Sequence, residues 1–453
     1  MADAPELADL LACPRCDAAL APAQDEGFEC RGCQVHYPLL DGLPFLFSAP
    51  RASLGEWQAR VHHELRRLEA RAEKIESELL DKELLPLTRE RLEQVRDACR
   101  DQHAKLAALM APLLAGGEPA TRETYIALRT RLPSDQGLNT YYQNVHRDWA
   151  WATGENAAAA DIVLSMLPEA PGRVLVLGAG SGRLAYDLHQ CTKADLTVAL
   201  DFNPLLAGIG ARVSRGEAIE LWEFPIAPRS AEDCAVLREF DAEPARPGLE
   251  FVLGDALRAP FRKAAFDMVI TPWLVDIVPL DFAELATRVN GLLAKGGSWM
   301  NFGSLAFDTP EESRCYTLEE CVALVGQTGF DDVEYRTDRI PYMCSPASRH
   351  GRMEEVVSFR ARKDKTVKTA SRYQSLPEWL VTGKEAVPAL PSFQMQAASN
   401  RIYAFVMGLI DGQRSIADMA RLLEAQKLMA QQEAEGVIRD FMIRMYEDSR
   451  RSS

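Results

Sequence analysis

A short apolar run that leads straight into three alternating glycines constrains this chain more than any other stretch. Val174 to Leu177 carry no polar break, as a central parallel strand covered on both faces requires. Gly178, Gly180 and Gly182 follow at once. Glycine lets the backbone turn sharply and lets a ligand approach closely, while a helix opening at Arg183 aims its free N–H groups at that ligand. A second strand, Leu196 to Leu200, ends in Asp201, whose carboxylate can accept hydrogen bonds from both hydroxyls of a ribose. Strand, turn, helix and distant acid together specify a nucleoside-containing cofactor. The pattern is Gly-x-Gly-x-Gly, with Arg183 where a dinucleotide-binding turn places its third small residue, which disfavours NAD.

The following elements extend the same plan. Phe251 to Gly254 form a third short strand that ends at Asp255, an acid placed beside Asp201 to accept from an adenine amino group. A fourth strand begins at Phe266 and runs into the loop that carries Asp276. A helix closing near Gly296-Gly297 precedes a fifth strand, Ser298 to Phe302, and a helix over 317–328 precedes a final antiparallel pair starting near Phe330 and Glu355. The expected fold is α/β, a Rossmann-like sheet that is mostly parallel with one reversed strand. Residues 217–250 are too irregular and aromatic for a plain connection, and read as a lid over the active site or a surface insertion.

Ahead of this sheet, Cys13-Pro-Arg-Cys16 and Cys30-Arg-Gly-Cys33 place four thiolates where one tetrahedral zinc ion takes them all and leaves no open position for catalysis. So small a ribbon has little core, and the metal would supply much of its folding energy. Apolar residues then recur at helical spacing from Trp57 to Leu79 and from Leu92 to Leu113, interrupted at Pro86. Two antiparallel helices result, a structural hairpin in preference to a docking arm. The expected domains are a zinc ribbon (1–50), a helical hairpin (51–118), a catalytic domain (139–363) and a C-terminal helical module (377–449). A formal charge of −15 argues against a broad nucleic-acid surface, and no apolar run is long enough to span a membrane. Scattered cysteines and an acidic N-terminus without a signal-peptide profile point to the cytoplasm.

In its order of elements the chain resembles the class I methyltransferases that use S-adenosylmethionine. Residues from about 139 to 363 resemble the carnosine N-methyltransferase family more narrowly. The likeness is carried by Arg147-Asp148-Trp149, the glycine turn, Arg229-Ser-Ala, Gly254-Asp255, Asp276, and Gly296-Gly297-x-Trp-x-Asn301-x-Gly303. The resemblance implies Gly178, Gly180, Gly182, Arg183, Asp201 and Asp255 as cofactor-binding residues. It places Asp276 and Tyr342 where the family binds an imidazole-containing substrate, and puts Asp308 where the family has a histidine. That departure favours a cationic or multiply N–H-bearing acceptor over carnosine itself. In this reading Asp276 orients the substrate nitrogen and takes or relays its proton, Tyr342 positions the ring or amine, and Asp308 selects charge.

The N-terminal segment is similar to zinc ribbons of some ribosomal-RNA methyltransferases and of small methyltransferase-activating proteins. The tail, with Ile410-Asp-Gly-x-Arg-Ser-Ile-x-Asp-Met419, looks like PqqD-like and winged-helix modules, and so fits leader-peptide presentation or self-association equally. The leading expectation is N-methylation of a small imidazole or amine metabolite, or of a peptide carrying such a group. Ribbon, hairpin and tail are candidate contacts for a protein partner. RNA or protein methylation directed by ribbon and tail is the alternative enzyme, and a cofactor-binding scaffold without turnover the non-enzyme.

Overall fold

Thirteen strands form among the described residues, which in a computed structural model are 7–23, 26–115, 138, 141–309, 311–368 and 386–451. The polar connection that the sequence suggests at 119–138 and the basic linker at 364–376 lie mostly outside them. The Cys-rich start folds into β1 (Leu20–Pro22), β2 (Gly27–Cys30), β3 (His36–Leu40) and β4 (Leu43–Leu46). The hairpin helices Pro50–Glu78 and Pro86–Leu109 come next, each opened by a proline at its first turn, where the missing N–H costs nothing. Then follow β5 (Arg173–Leu177), β6 (Leu196–Asp201), β7 (Ile219–Glu223), β8 (Val236–Phe240), β9 (Leu249–Gly254) and β10 (Phe266–Pro272). The series closes with β11 (Leu293–Gly303), β12 (Phe330–Tyr342) and β13 (Arg352–Lys363).

Eleven of these strands make one sheet in the order β1-β2-β3-β4-β9-β6-β5-β10-β11-β13-β12. From β4 to β11 neighbours run parallel, and β13 is antiparallel to both of its neighbours. From β9 through β12 this is the Rossmann-like, mostly parallel sheet with one reversed strand that the sequence predicts, while β1 to β4 pair antiparallel among themselves. The ribbon is not a separate body, however. Its last strand, β4, pairs with β9 through Phe45 opposite Leu253 and Leu46 opposite Gly254, so the ribbon continues the central sheet.

Successive residues of a strand face opposite sides, and β5 feeds two cores in this way. Val174 and Val176 join the layer built from the hairpin helices and from helices Glu155–Met166, Arg183–Cys191 and Pro204–Val213. Leu175 and Leu177 join the layer that holds the ribbon and helices Phe282–Leu292 and Leu318–Gln327. The hairpin contributes Trp57, Val61, Leu68 and Leu106 to the first layer, all fully or nearly fully buried. At about 1.5–3 kcal/mol for each such side chain, this burial fixes the hairpin to the sheet and makes it structural.

Residues 217–250 are more regular than their composition suggests, because β7 and β8 pair as an antiparallel hairpin. The helical hairpin holds it. Trp222 donates from its indole to Asp101 at 2.7 Å and from its backbone to Gln102 at 2.8 Å, while Gln94 donates to the Glu232 and Ala235 carbonyls.

The chain divides into two compact units, Met1–Arg372 and Tyr373–Ser453. Within the second, helices Pro391–Gly408, Ile416–Ala425 and Gln431–Arg451 bury Val406, Leu409, Met419, Leu423 and Ile438 together. Ser415 and Asp418 cap the middle helix reciprocally.

Candidate active site

All three glycines of the turn adopt positive φ, at 70°, 60° and 78°. A Cβ on Gly178 would lie 2.8 Å from Leu274, and one on Gly182 would lie 2.4 Å from the ring of Phe251. Gly180 faces open space, so its own requirement is the left-handed backbone, and the space is left to a ligand. Its N–H donates to Oδ2 of Asp201 at 2.8 Å, and the N–H of Asn203 donates to Oδ1 at the same distance. Each carboxylate oxygen thus keeps a further lone pair. Burial pushes the Asp201 carboxyl up to about 6, against those backbone donors. Asp255 caps the turn after β9 by accepting from the Leu257 N–H at 2.8 Å.

Arg183 has a different role from the glycines. It donates to both oxygens of Asp187 at 2.9 Å and to the Asp148 carbonyl at 2.8 Å, and its guanidinium lies 5.4 Å from the Trp149 ring. It braces the turn and lines the cleft.

The cleft has a volume of about 660 Å³, within the usual range for a cofactor site. Gly178, Gly180, Asp201 and Asp255 line one part, and Asp276 and Tyr342 line another. Asp276 accepts through Oδ2 from the Ser304 hydroxyl and from the Ala306 N–H at 3.0 Å. Its Oδ1 is buried without a partner. Tyr342 packs on Trp273, with ring centroids 4.7 Å apart, and carries the Arg352 guanidinium 4.7 Å from its ring. Burial raises its hydroxyl above the ordinary value.

Asp308 is exposed and is not among the residues lining the cleft, while its neighbour Phe307 packs on Phe282 and Tyr316. Nor does any residue of 217–250 line it among the described residues, although Glu223, Pro225 and Ile226 line a smaller neighbouring pocket that shares Tyr342 and Arg352.

Several lining residues carry no signal that singles them out in the sequence. Phe47, Ser53, Glu56, Trp57 and Arg60 come from the ribbon's end and the first hairpin helix. Trp57 reads as one more core position of a helical repeat. Glu155 and Arg147 also line the cleft. Arg147 lies 2.8 Å from Asp148 and 3.6 Å from Glu155, and the Met343 N–H donates to Glu155 at 2.8 Å. Arg60, Arg147 and Arg183 are thus paired with acids, whereas Asp201, Asp255 and Asp276 have no Lys or Arg partner among the described residues. The remaining charge is negative, and suits a cation.

At the ribbon, the ligand atoms of Cys13, Cys16, Cys30 and Cys33 all lie within 4.8 Å of one another. Two of the sulfur pairs stand 3.6 and 3.3 Å apart. A tetrahedral ion bonded to sulfur at about 2.3 Å separates its ligands by about 3.8 Å, so the four thiols fit a metal. Backbone N–H groups of Arg15 and Cys33 point at Cys13 and Cys30, and the Tyr37 hydroxyl lies 3.0 Å from Cys13. His36 is exposed.

No protein-family model matches the chain, and no curated protein does. Solved structures are similar over about half of it. A SAM-dependent methyltransferase of Thermotoga maritima, described as a possible histamine N-methyltransferase, is 17% identical, with 49% of this chain and 94% of that chain covered and a TM-score of 0.31. The phosphoethanolamine N-methyltransferase 2 of Haemonchus contortus, in complex with phosphomonomethylethanolamine and S-adenosylhomocysteine, is 16% identical over 52% and 60%, with a TM-score of 0.32. The complex between the Haloferax volcanii Trm112 methyltransferase activator and its partner methyltransferase is 14% identical over 50% and 97%, with a TM-score of 0.34. At such identities and TM-scores no site assignment rests on these likenesses. The strands β9-β6-β5-β10-β11-β13-β12 themselves form the Rossmann-like part of the sheet.

Proposed function

We propose that this chain is an S-adenosylmethionine-dependent N-methyltransferase acting on a small imidazole or amine, free or carried by a peptide. The observation that carries this reading is the unpartnered Oδ1 of Asp276, in the cleft that also holds the glycine turn and Asp201. A buried carboxylate oxygen without a donor is costly, and a substrate N–H or N⁺–H is the group that would satisfy it.

The cofactor fits the residues present. Gly178 and Gly180 leave its path clear, Asp201 offers acceptors to the ribose hydroxyls, and Asp255 stands next to it at the sheet edge for the adenine amino group. When bound, S-adenosylmethionine supplies a methyl group already activated by its sulfonium charge. The chain's residues then have three tasks: to hold the acceptor nitrogen in line, to exclude water, and to receive its proton. Asp276, fixed through Oδ2 by Ser304 and Ala306, directs Oδ1 at the nitrogen and takes or relays the proton there. Trp273 and Tyr342, with ring planes 48° apart, offer aromatic walls for an imidazole or alkylamine. The unpaired acids favour a cationic acceptor and disfavour a phosphate backbone. At the ribbon the bound metal would be zinc, held by four thiolates in a closed and therefore structural site.

The test is S-adenosylhomocysteine formation by purified protein with histidine, histidine-containing dipeptides and simple amines. Turnover on one of these, abolished in Asp276→Ala, is expected. Absence of turnover with that panel, together with activity on total RNA that nuclease destroys, would replace this reading with RNA methylation.

A further inference from the structure

Three parallel strands end side by side at the nucleoside part of the cleft. β6 ends at Asp201, its neighbour β9 at Gly254 before Asp255, and the ribbon's β4 at Leu46 before Phe47. The first hairpin helix begins only three residues beyond Phe47, and so its first turns reach the same cleft. Ser53, Glu56, Trp57 and Arg60 line it together with Asp201, Phe202 and Asp255. The Trp57 ring is 5.9 Å from that of Phe202, the residue that follows the ribose-facing acid, and Trp57 is only 4% exposed.

This indole is held from several sides. The Arg60 guanidinium lies 4.4 Å from its ring and is itself paired with Glu56. One residue on, Gln58 donates to the Leu113 carbonyl at 2.9 Å and ties this turn to the end of the hairpin. A rigid aromatic pair beside two carboxylates is the arrangement that a purine nucleoside asks for: apolar contact for the base, acceptors for its amino group and its sugar.

Resting on the methyltransferase reading, the geometry points to Trp57 and Phe202 as the apolar wall of the adenine site. The helical hairpin is then a part of the cofactor-binding machinery as well as a structural support. Cofactor affinity depends on a residue more than a hundred positions before the glycine turn, outside the sheet domain's own sequence.

The experiment is calorimetric titration of zinc-loaded, full-length protein with S-adenosylhomocysteine, on wild type, Trp57→Ala, Trp57→Phe and Ser53→Trp, each first compared by ligand-free melting and circular dichroism. Loss of the ring should weaken binding about tenfold or more in Trp57→Ala, while Trp57→Phe stays within about threefold of wild type. Ser53→Trp leaves the core side chains in place and puts bulk at the cleft, so it should weaken binding as well. It decides the matter where Trp57→Ala does not fold. Wild-type affinity in folded Trp57→Ala, or in Ser53→Trp, would overturn the assignment while leaving the cofactor reading intact. No binding by wild type would overturn both.

Discussion

Asp276 and Asp201 are both carboxylates in one cleft, and their surroundings give them opposite tasks. Asp276 has one oxygen held and the other unmatched, the state of a group that waits for a donor. Asp276→Asn keeps the shape but replaces an acceptor by an amide and removes the proton sink. Turnover should fall by about 10²–10⁴-fold, with S-adenosylhomocysteine affinity unchanged in calorimetry. A variant that keeps its kcat would remove Asp276 from the mechanism. Asp201 accepts at both oxygens, and burial alone has raised it, to about 6. Its charged form is complete above that pH and is lost as pH falls through it. Cofactor affinity should therefore be level near pH 8 and decline below about 6. Titrations across that window test this; affinity that rises on acidification would contradict it.

At the scale of elements, the helix Tyr142–Trp149 carries a buried group of a different kind. His146 is wholly buried between the rings of Tyr142 and Phe240, at 5.0 and 5.1 Å. Burial, with Arg238 nearby, depresses it to about 3. The unfolded chain protonates this residue near its ordinary value of about 6.5, and the folded chain does not. Its share of stability is thus whole above that value and drains away as pH falls toward about 3, by at most about 1.4 kcal/mol per pH unit. The melting temperature of wild type relative to His146→Leu should drop as the buffer goes from pH 7.5 to 5, and a constant difference would refute it. Elements of this sort are also where sequence reading succeeds or fails. The glycine turn and the acids at strand ends are legible because strand, turn and helix are neighbours in the chain. Trp57 in the cleft and β4 in the sheet are not, since both depend on contacts between distant segments. The exposure of Asp308 is not legible either, because it depends on Phe307 packing against Phe282 and Tyr316.

For the molecule as a whole, the ribbon, the hairpin and the sheet share their cores, so damage at one end should be felt at the other. If the four thiols carry the proposed metal, a chelator would loosen the ribbon, whose last strand β4 pairs with β9. The melting temperature should fall and S-adenosylhomocysteine binding should weaken in parallel, both returning on addition of zinc. Weakened stability with undiminished binding would show that the ribbon and the cofactor cleft are independent.

The pairing of Phe45 with Leu253 joins residues separated by about 200 positions, which also governs how the protein is made. A chain leaving the ribosome finishes its ribbon long before β9 has been synthesised. The hairpin helices that share a core with Leu43 and Phe45 are made soon after, yet the free edge of β4 stays unpaired until translation passes residue 254. Truncation before that point leaves a sticky strand with no mate, and the soluble yield of nascent fragments should jump only once β9 is included.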